Sequence, residues 1–393
     1  MNKLALPLIF ILVGTSFVTY SFLDTFIIPK NVKDVDIDNN TAFSFAEISS
    51  VSPSISSTGK ESSSSHSSNQ DNNSSGLEQS SSEPNSSSSS FDSTNISTNE
   101  YYENLTPEQI ASLFTDEVVF REREHYSDPD IYIDITTHRD EADTTYYYVA
   151  DVRIKSLRYF KTALAKDKFG ENIEEKPSEI CKKKKGILAI NGDYYGAQEA
   201  GYVLRNGVPL RNTVSISSGG LTARSNPEDL AIYGDGTFEI FNEKERTLEE
   251  IASKNAWQVF SFGPGLVKNG EIAISENYEV DSVVINGASN KCQRTAIGII
   301  SPLHYCFVVN DGRSTESTGF TLYEMATIMK NLHCYQAYNL DGGGSSVMYL
   351  DDGTGNANHL GHLVNKPNQN YYNAGSPNPQ QRGISDIVYF GKE

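Results

Sequence analysis

Hydrophobic and polar positions divide the chain into an apolar start, a long polar run and an alternating remainder. Leu4 to Leu23 is apolar and uncharged. That is near the roughly 20 residues needed to span a bilayer, and longer than the apolar core of a secretory leader. No small-x-small cleavage site follows; Asp24-Thr25-Phe26 does not resemble one. The pattern predicts an uncleaved signal anchor over residues 1–30, with Lys3 on the inner side. A cleaved leader is the alternative. From Phe43 to Asn99 serine dominates, with Asn, Asp, Glu and Thr. So little apolar surface cannot offset the entropy of ordering, and residues 31–100 are expected to be a disordered stalk.

Periodic signals begin near Leu105. Thr106-Pro107-Glu108-Gln109 has an N-cap, a proline at the first helical position and a Gln that closes a capping box. A helical neck is expected over 101–125, and one domain over 126–393. Ile131–Ile135 and Tyr146–Ile154 alternate as strands do. Asn206-Gly207, Asp235-Gly236 and Asn269-Gly270 read as hairpin turns. Thr247 with Glu250, and Thr321 with Glu324, open two further helices; the second runs over Leu322–Leu332. Tyr335–Leu340 reads as a strand entering the core. The predicted fold class is α+β: a mixed, largely antiparallel β-sheet domain with a few inserted helices.

Charge narrows the function. The chain has 393 residues, 51 acidic against 32 basic, and a formal charge of −19. No basic field is available for nucleic acid, so an anionic substrate must be met by a few local arginines. Cys181, Cys292, Cys306 and Cys334 form no CxxC pair. They read as small buried hydrophobes, with one or two disulfides as the alternative.

Five segments each end a strand-like run with polar residues among glycines. They are Asn191-Gly192-Asp193-Tyr194-Tyr195, Ser261–Gly265, Arg294–Gly298, Asn310-Asp311-Gly312-Arg313, and Asn339-Leu340-Asp341-Gly342-Gly343-Gly344-Ser345-Ser346. In the last, three glycines permit close approach of a ligand and backbone N–H groups that converge on an anion. Ser345 and Ser346 add hydroxyl donors, and Asp341 stands at the mouth. Asp193, Asp311 and Asp341 are the candidate carboxylates. Arg294 and Arg313 are the candidate phosphate forks, with Arg205 and Arg382 near the same motifs.

The segments Asn191–Tyr195, Arg294–Gly298, Asp311-Gly312-Arg313 with Ser317 and Gly319, and Ala337–Ser346 together resemble the phosphodiester glycosidase domain family over roughly Lys185 to Gly391. The resemblance implies a hydrolase of the α-N-acetylglucosaminidase type that cleaves between a sugar's anomeric carbon and a phosphate oxygen. N-acetylglucosamine-1-phosphodiesters are the family's reference substrates. It further implies catalytic roles for Asp193, Arg294, Asp311 and Asp341. Asn191, Gly192, Tyr194, Arg205, Gly312, Arg313, Asn339, Gly342, Gly343, Gly344, Ser345 and Ser346 would bind substrate. Arg294 and the glycine turn suit the phosphate, and Asp341 or Asp193 the sugar side. The anchor and serine run resemble those of bacterial members associated with exopolysaccharide and the cell envelope. That points to an extracytoplasmic domain held by a single-pass membrane helix, acting on an envelope glycopolymer.

Two other readings stay open. A metal-dependent phosphodiesterase would want clustered histidines and carboxylates; His359-Leu360-Gly361-His362 is the nearest pattern. A binding module would hold a glycan phosphate without turnover. No cofactor is required by the sequence, and calcium at Asp351-Asp352-Gly353 is the one candidate ion.

Overall fold

The computed structural model describes residues 28–38, 40, 43–45, 105–215, 227–278, 290–356, 361–367 and 381–392. The apolar run Leu4–Leu23 and the serine-rich run from residue 46 lie outside them. Among the described residues no helix is long and apolar enough to cross a membrane.

The domain is mostly β-sheet, and every strand pair among the described residues is antiparallel, so the sheet is not mixed. The largest sheet has nine strands. It runs from Glu271–Ile272 through Gly265–Lys268, Gln336–Asn339, Thr295–Ser301 and His304–Asn310. It continues through Thr145–Ile154, Ile131–Asp140 and His125–Ser127 to Val119–Arg121. A five-stranded sheet contains Gly186–Asn191 between Met348–Leu350 and Asp386–Gly391. A second five-stranded sheet contains Val203–Arg205, Ala256–Phe260 and Glu228–Tyr233.

One core joins all three. Ile297 and Phe307 of the large sheet pack with Leu188, Ile190, Val388 and Phe390 of the second and with Leu230, Ile232 and Phe260 of the third. Gly186–Asn191 is buried along its whole length. That explains its continuous apolar run, since both faces meet other layers.

The helices are short. Thr106, Thr247 and Thr321 each close a capping box, over Pro107–Ala111, Leu248–Ser253 and Leu322–Asn331. The last buries Leu322, Met325, Ala326, Ile328 and Met329 against the large sheet. Asn206-Gly207 and Asn269-Gly270 have the paired positive φ angles that two-residue hairpins demand.

Two boundaries differ from expectation. The helical neck expected over 101–125 holds one five-residue helix, and a strand follows it at Val119. The stalk does not begin at residue 31. Lys30–Asp34 is a strand paired with Lys168–Glu171, and Ile37, Phe43 and Phe45 pack on the domain. The local sequence there carries enough apolar side chains to dock, whereas the serine-rich run that follows it has few.

Candidate functional site

Strand register brings the five segments together. Thr295 starts its strand opposite Val309, and Ala296 lies opposite Asn339. The ends of His304–Asn310 and Gln336–Asn339 therefore meet the start of Thr295–Ser301. Asn191 ends its strand opposite Ile387, beside the start of Asp386–Gly391. Asn191 joins the two sheets. Its Nδ2 donates to the Asp341 carbonyl at 2.7 Å, and its Oδ1 accepts from the Thr295 hydroxyl at 2.8 Å and from the Val347 N–H at 3.2 Å. It holds the site's backbone and is not free to meet substrate.

A buried ion cluster lies behind this junction. Arg205 is fully buried. Its Nη2 donates to Asp193 Oδ1 at 2.7 Å and its Nε to Asp386 Oδ2 at 2.9 Å. Its guanidinium lies 4.4 Å from the Phe260 ring centre. The other Asp193 oxygen accepts the Ser261 N–H at 2.8 Å. Asp193 is thus sealed, with both oxygens engaged, and it braces the Gly192 turn rather than facing an open cleft. Asp386 Oδ1 has no hydrogen-bond partner among the described residues. Burial raises the Asp386 carboxyl to about 7, against the pull of Arg205. One guanidinium cannot fully compensate two buried carboxylates.

Sequence reading missed Asp386. It sits in an ordinary strand start, Ser385-Asp386-Ile387-Val388, with no glycine beside it. Its signal is one buried acid ahead of an apolar strand, and its importance comes from strand pairing.

Asp341 is the carboxylate at the mouth. It is partly exposed, unlike Asp193 and Asp311. Its Oδ1 accepts the Gly342 N–H at 2.8 Å. Burial pushes it up to about 6, opposed first by the neighbouring Ser345 hydroxyl and then by Arg382 and the Gly342 N–H. The Gly343–Ser345 turn follows, with Gly343 at φ +61°. Ser345 neighbours Asp341, yet the Ser345 and Ser346 hydroxyls are buried and make no hydrogen bond of good geometry among the described residues. Gly344 completes the turn, partly exposed.

Two arginines flank the turn. The Cβ that Gly342 lacks would lie 3.9 Å from Arg294 Cδ, and that of Gly343 would lie 3.2 Å from Arg313 Nη1. Arg294 is buried; its Nε donates to the Phe320 carbonyl at 3.1 Å and its Nη2 to the Asn290 carbonyl at 2.8 Å. Burial, and then Arg313 nearby, lower its pKa. Arg313 is partly exposed. Gly312 lets its loop press against the backbone of Cys292 and Gln293.

Asp311 is placed differently. Its carboxylate accepts the Tyr148 hydroxyl at 3.0 Å and the Lys366 N–H at 2.7 Å. Burial raises it to about 6. It clamps two segments beside the Arg294 loop. Asn339 is also buried; it donates to the Gly263 carbonyl at 2.8 Å and fixes the Gly263-Pro264 turn. Tyr195 is core and stacks on Phe169. Tyr194 is partly exposed, and Arg382 lies 5.3 Å above its ring while donating to its hydroxyl.

All four cysteines are buried thiols. His359 lies outside the described residues, and no group of three metal-ligating side chains occurs among those described. In the Asp351 loop, Asp351 accepts from the Tyr349 hydroxyl and the Asp352 N–H, and Asp352 caps Thr354. Those bonds are internal to the loop.

The phosphodiester glycosidase family profile matches residues 184–390, more than half of the chain. An uncharacterized SPbeta prophage-derived protein of Bacillus subtilis is 29% identical over 178 residues, 45% of this chain and 26% of its own length. The human N-acetylglucosamine-1-phosphodiester alpha-N-acetylglucosaminidase is 33% identical over 172 residues, 42% of this chain and 32% of its own. The chain thus spans no more than about a third of these relatives' length. The zebrafish enzyme's catalytic domain superposes with a TM-score of 0.49 at 22% identity, covering 70% of this chain and 88% of that one.

Proposed function

The chain belongs to the phosphodiester glycosidase family, and on that premise we propose that it hydrolyses sugar-1-phosphodiesters between the anomeric carbon and the phosphate oxygen. Free sugar and a phosphomonoester are released. The observation that carries this reading is the position of Asp341. Of the three candidate carboxylates it is the partly exposed one, and it directly precedes a glycine turn flanked by Arg294 and Arg313.

The chemistry follows from charge. As the C1–O bond breaks, its electron pair leaves on the phosphate, which carries one more negative charge at the end than at the start. Arg313 lies close enough to Arg294 to repel it, and a bound anion would relieve that repulsion. The Gly343 and Ser345 N–H groups are given to the Gln293 and Gly342 carbonyls, so the Gly344 N–H and the two serine hydroxyls are the donors the turn can add to the same anion. A phosphate is a good leaving group, so a strong general acid is less needed than in ordinary glycoside cleavage. Above its pKa Asp341 is ionised and stabilises positive charge developing at C1. Water then supplies the hydroxyl that ends on the sugar, and its other proton passes to the solvent or to the departing phosphomonoester. The Tyr194 ring under Arg382 offers a flat wall for a sugar face.

We place this activity outside the cell, on envelope glycopolymers, with the Leu4–Leu23 run as the anchor. An N-acetylglucosamine-1-phosphodiester incubated with the full-length chain should yield free N-acetylglucosamine, in chelator as well as without it. Release of sugar-1-phosphate would assign the cut to the P–O bond instead. Tight binding with no product would make the protein a binding module.

A further inference from the structure

We infer that residues 28–45 are a strap that completes the domain and buttresses Arg205, so that the serine-rich run is an excursion between two docked parts of one domain. It is not a spacer in front of that domain.

The described residues of the strap, 28–38, 40 and 43–45, meet the domain at several points. Lys30, Lys33 and Asp34 pair with Glu171, Phe169 and Lys168. Asn172 Nδ2 donates to the Ile28 carbonyl at 3.1 Å. Asp38 accepts from Lys184 at 2.5 Å. Asn255 Nδ2 donates to the Ser44 carbonyl at 2.7 Å. Phe43 and Phe45 lie 4.6 and 4.8 Å from Trp257, whose own Nε1 is fixed on the Phe160 carbonyl. On the far side of the serine run, Leu105 re-enters at a capped helix, and the strands from Val119 form the end of the nine-stranded sheet. Both ends of the run are therefore anchored on the same body.

The strap also reaches the machinery behind the site. Ile37 is buried with Leu164, Phe169, Tyr195 and Val203. Tyr195 belongs to the Asn191–Tyr195 segment, and its ring centre lies 5.7 Å from the Arg205 guanidinium. From the other side, Asn40 Nδ2 donates at 3.0 Å to the carbonyl of Asn206, the residue after Arg205. Gly207 has φ +76°, and a Cβ there would lie 2.6 Å from the Phe43 ring, so the turn and the strap fit only with glycine. Arg205 is held from below by a residue that Ile37 packs and from behind by a turn that Asn40 and Phe43 cover. Only the activity arm of the test below rests on the function proposed above.

The test uses the full-length chain in detergent, tagged at its amino end, with a protease site placed at Ser62–Ser65. After cutting, the body should stay with the tag through a pull-down and separate from it in denaturant. Ile37→Asp should release the body in native buffer, whereas Ile37→Val should retain it. Release should lower Tm and reduce kcat at least tenfold, and added peptide of residues 28–45 should restore kcat. If the cut wild-type body separates and keeps its Tm, the strap is only a lead-in and the inference is overturned. If release occurs with Ile37→Asp but kcat is unchanged, the buttressing of Arg205 is overturned. A protein that retains its strap yet hydrolyses nothing would count against the proposed function alone.

Discussion

Asp386 stands so close behind Gly192 that a Cβ on residue 192 would lie 2.1 Å from its Oδ1. No side-chain atom tolerates that distance, and the neighbour is a buried carboxylate held on Arg205 rather than a mobile tip. Gly192→Ala should therefore break the Asp193–Arg205–Asp386 cluster, at a cost of about 2 kcal/mol or more. Thermal unfolding would show it. A Tm within about 1 °C of the parent would contradict the geometry.

The same cluster sets a pH dependence. The folded-state pKa of Asp386, raised to about 7 by burial, exceeds the usual value near 4. Its contribution to stability is full below pH ~4 and is lost as pH rises through ~7, on the order of a few kcal/mol. Asp386→Asn cannot ionise. Whatever its absolute stability, its unfolding free energy should fall less than the parent's between pH 5 and 8. Parallel curves would refute the assignment.

The three candidate carboxylates should separate by phenotype. Asp341→Asn should lose at least about tenfold in kcat, roughly 1.4 kcal/mol of barrier, while keeping its Tm. If ionised Asp341 is needed, parent activity rises with pH up to about 6 and then levels, and the variant loses that limb. Asp311→Asn should instead lower Tm through Tyr148 and Lys366, with kcat of the remaining folded protein within about threefold of the parent. Equal kcat losses in both would return Asp311 to the chemistry.

Arg294 and Arg313 should differ in kind. Arg294 is fixed by two carbonyls, so Arg294→Ala should reduce kcat/KM by tenfold or more. The more exposed Arg313 should act mainly on binding, and Arg313→Gln should raise KM severalfold with little change in kcat. Steady-state kinetics on one sugar-1-phosphodiester checks both. Unchanged kcat/KM in folded Arg294→Ala would remove it from the phosphate site.

What was legible in the sequence was local. Three capping boxes and three hairpin turns were readable because a few adjacent residues specify each one, and the structure contains all six. The segments around the site were readable because glycine and polar residues interrupt apolar strands there. What was hidden depends on pairing between distant strands. Asp193 and Asp341 look alike in sequence, yet only register shows that Arg205 and Ser261 engage the first and leave the second at the mouth. Asp386 was invisible for the same reason. The strap was misread because its few apolar residues sit next to a run that has almost none.

The nine-stranded sheet has one more consequence. Its two outer strands, Val119–Arg121 and Glu271–Ile272, are three and two residues long. An outer strand offers unpaired N–H and C=O groups to any neighbouring chain, and long flat ones invite aggregation. Here each margin ends almost as soon as it begins. Charged Arg121 and Glu271 sit on these margins, and Lys330 binds Glu271. Copies crowded at high density would find little edge on this sheet on which to zip together, so its size does not by itself invite polymerisation.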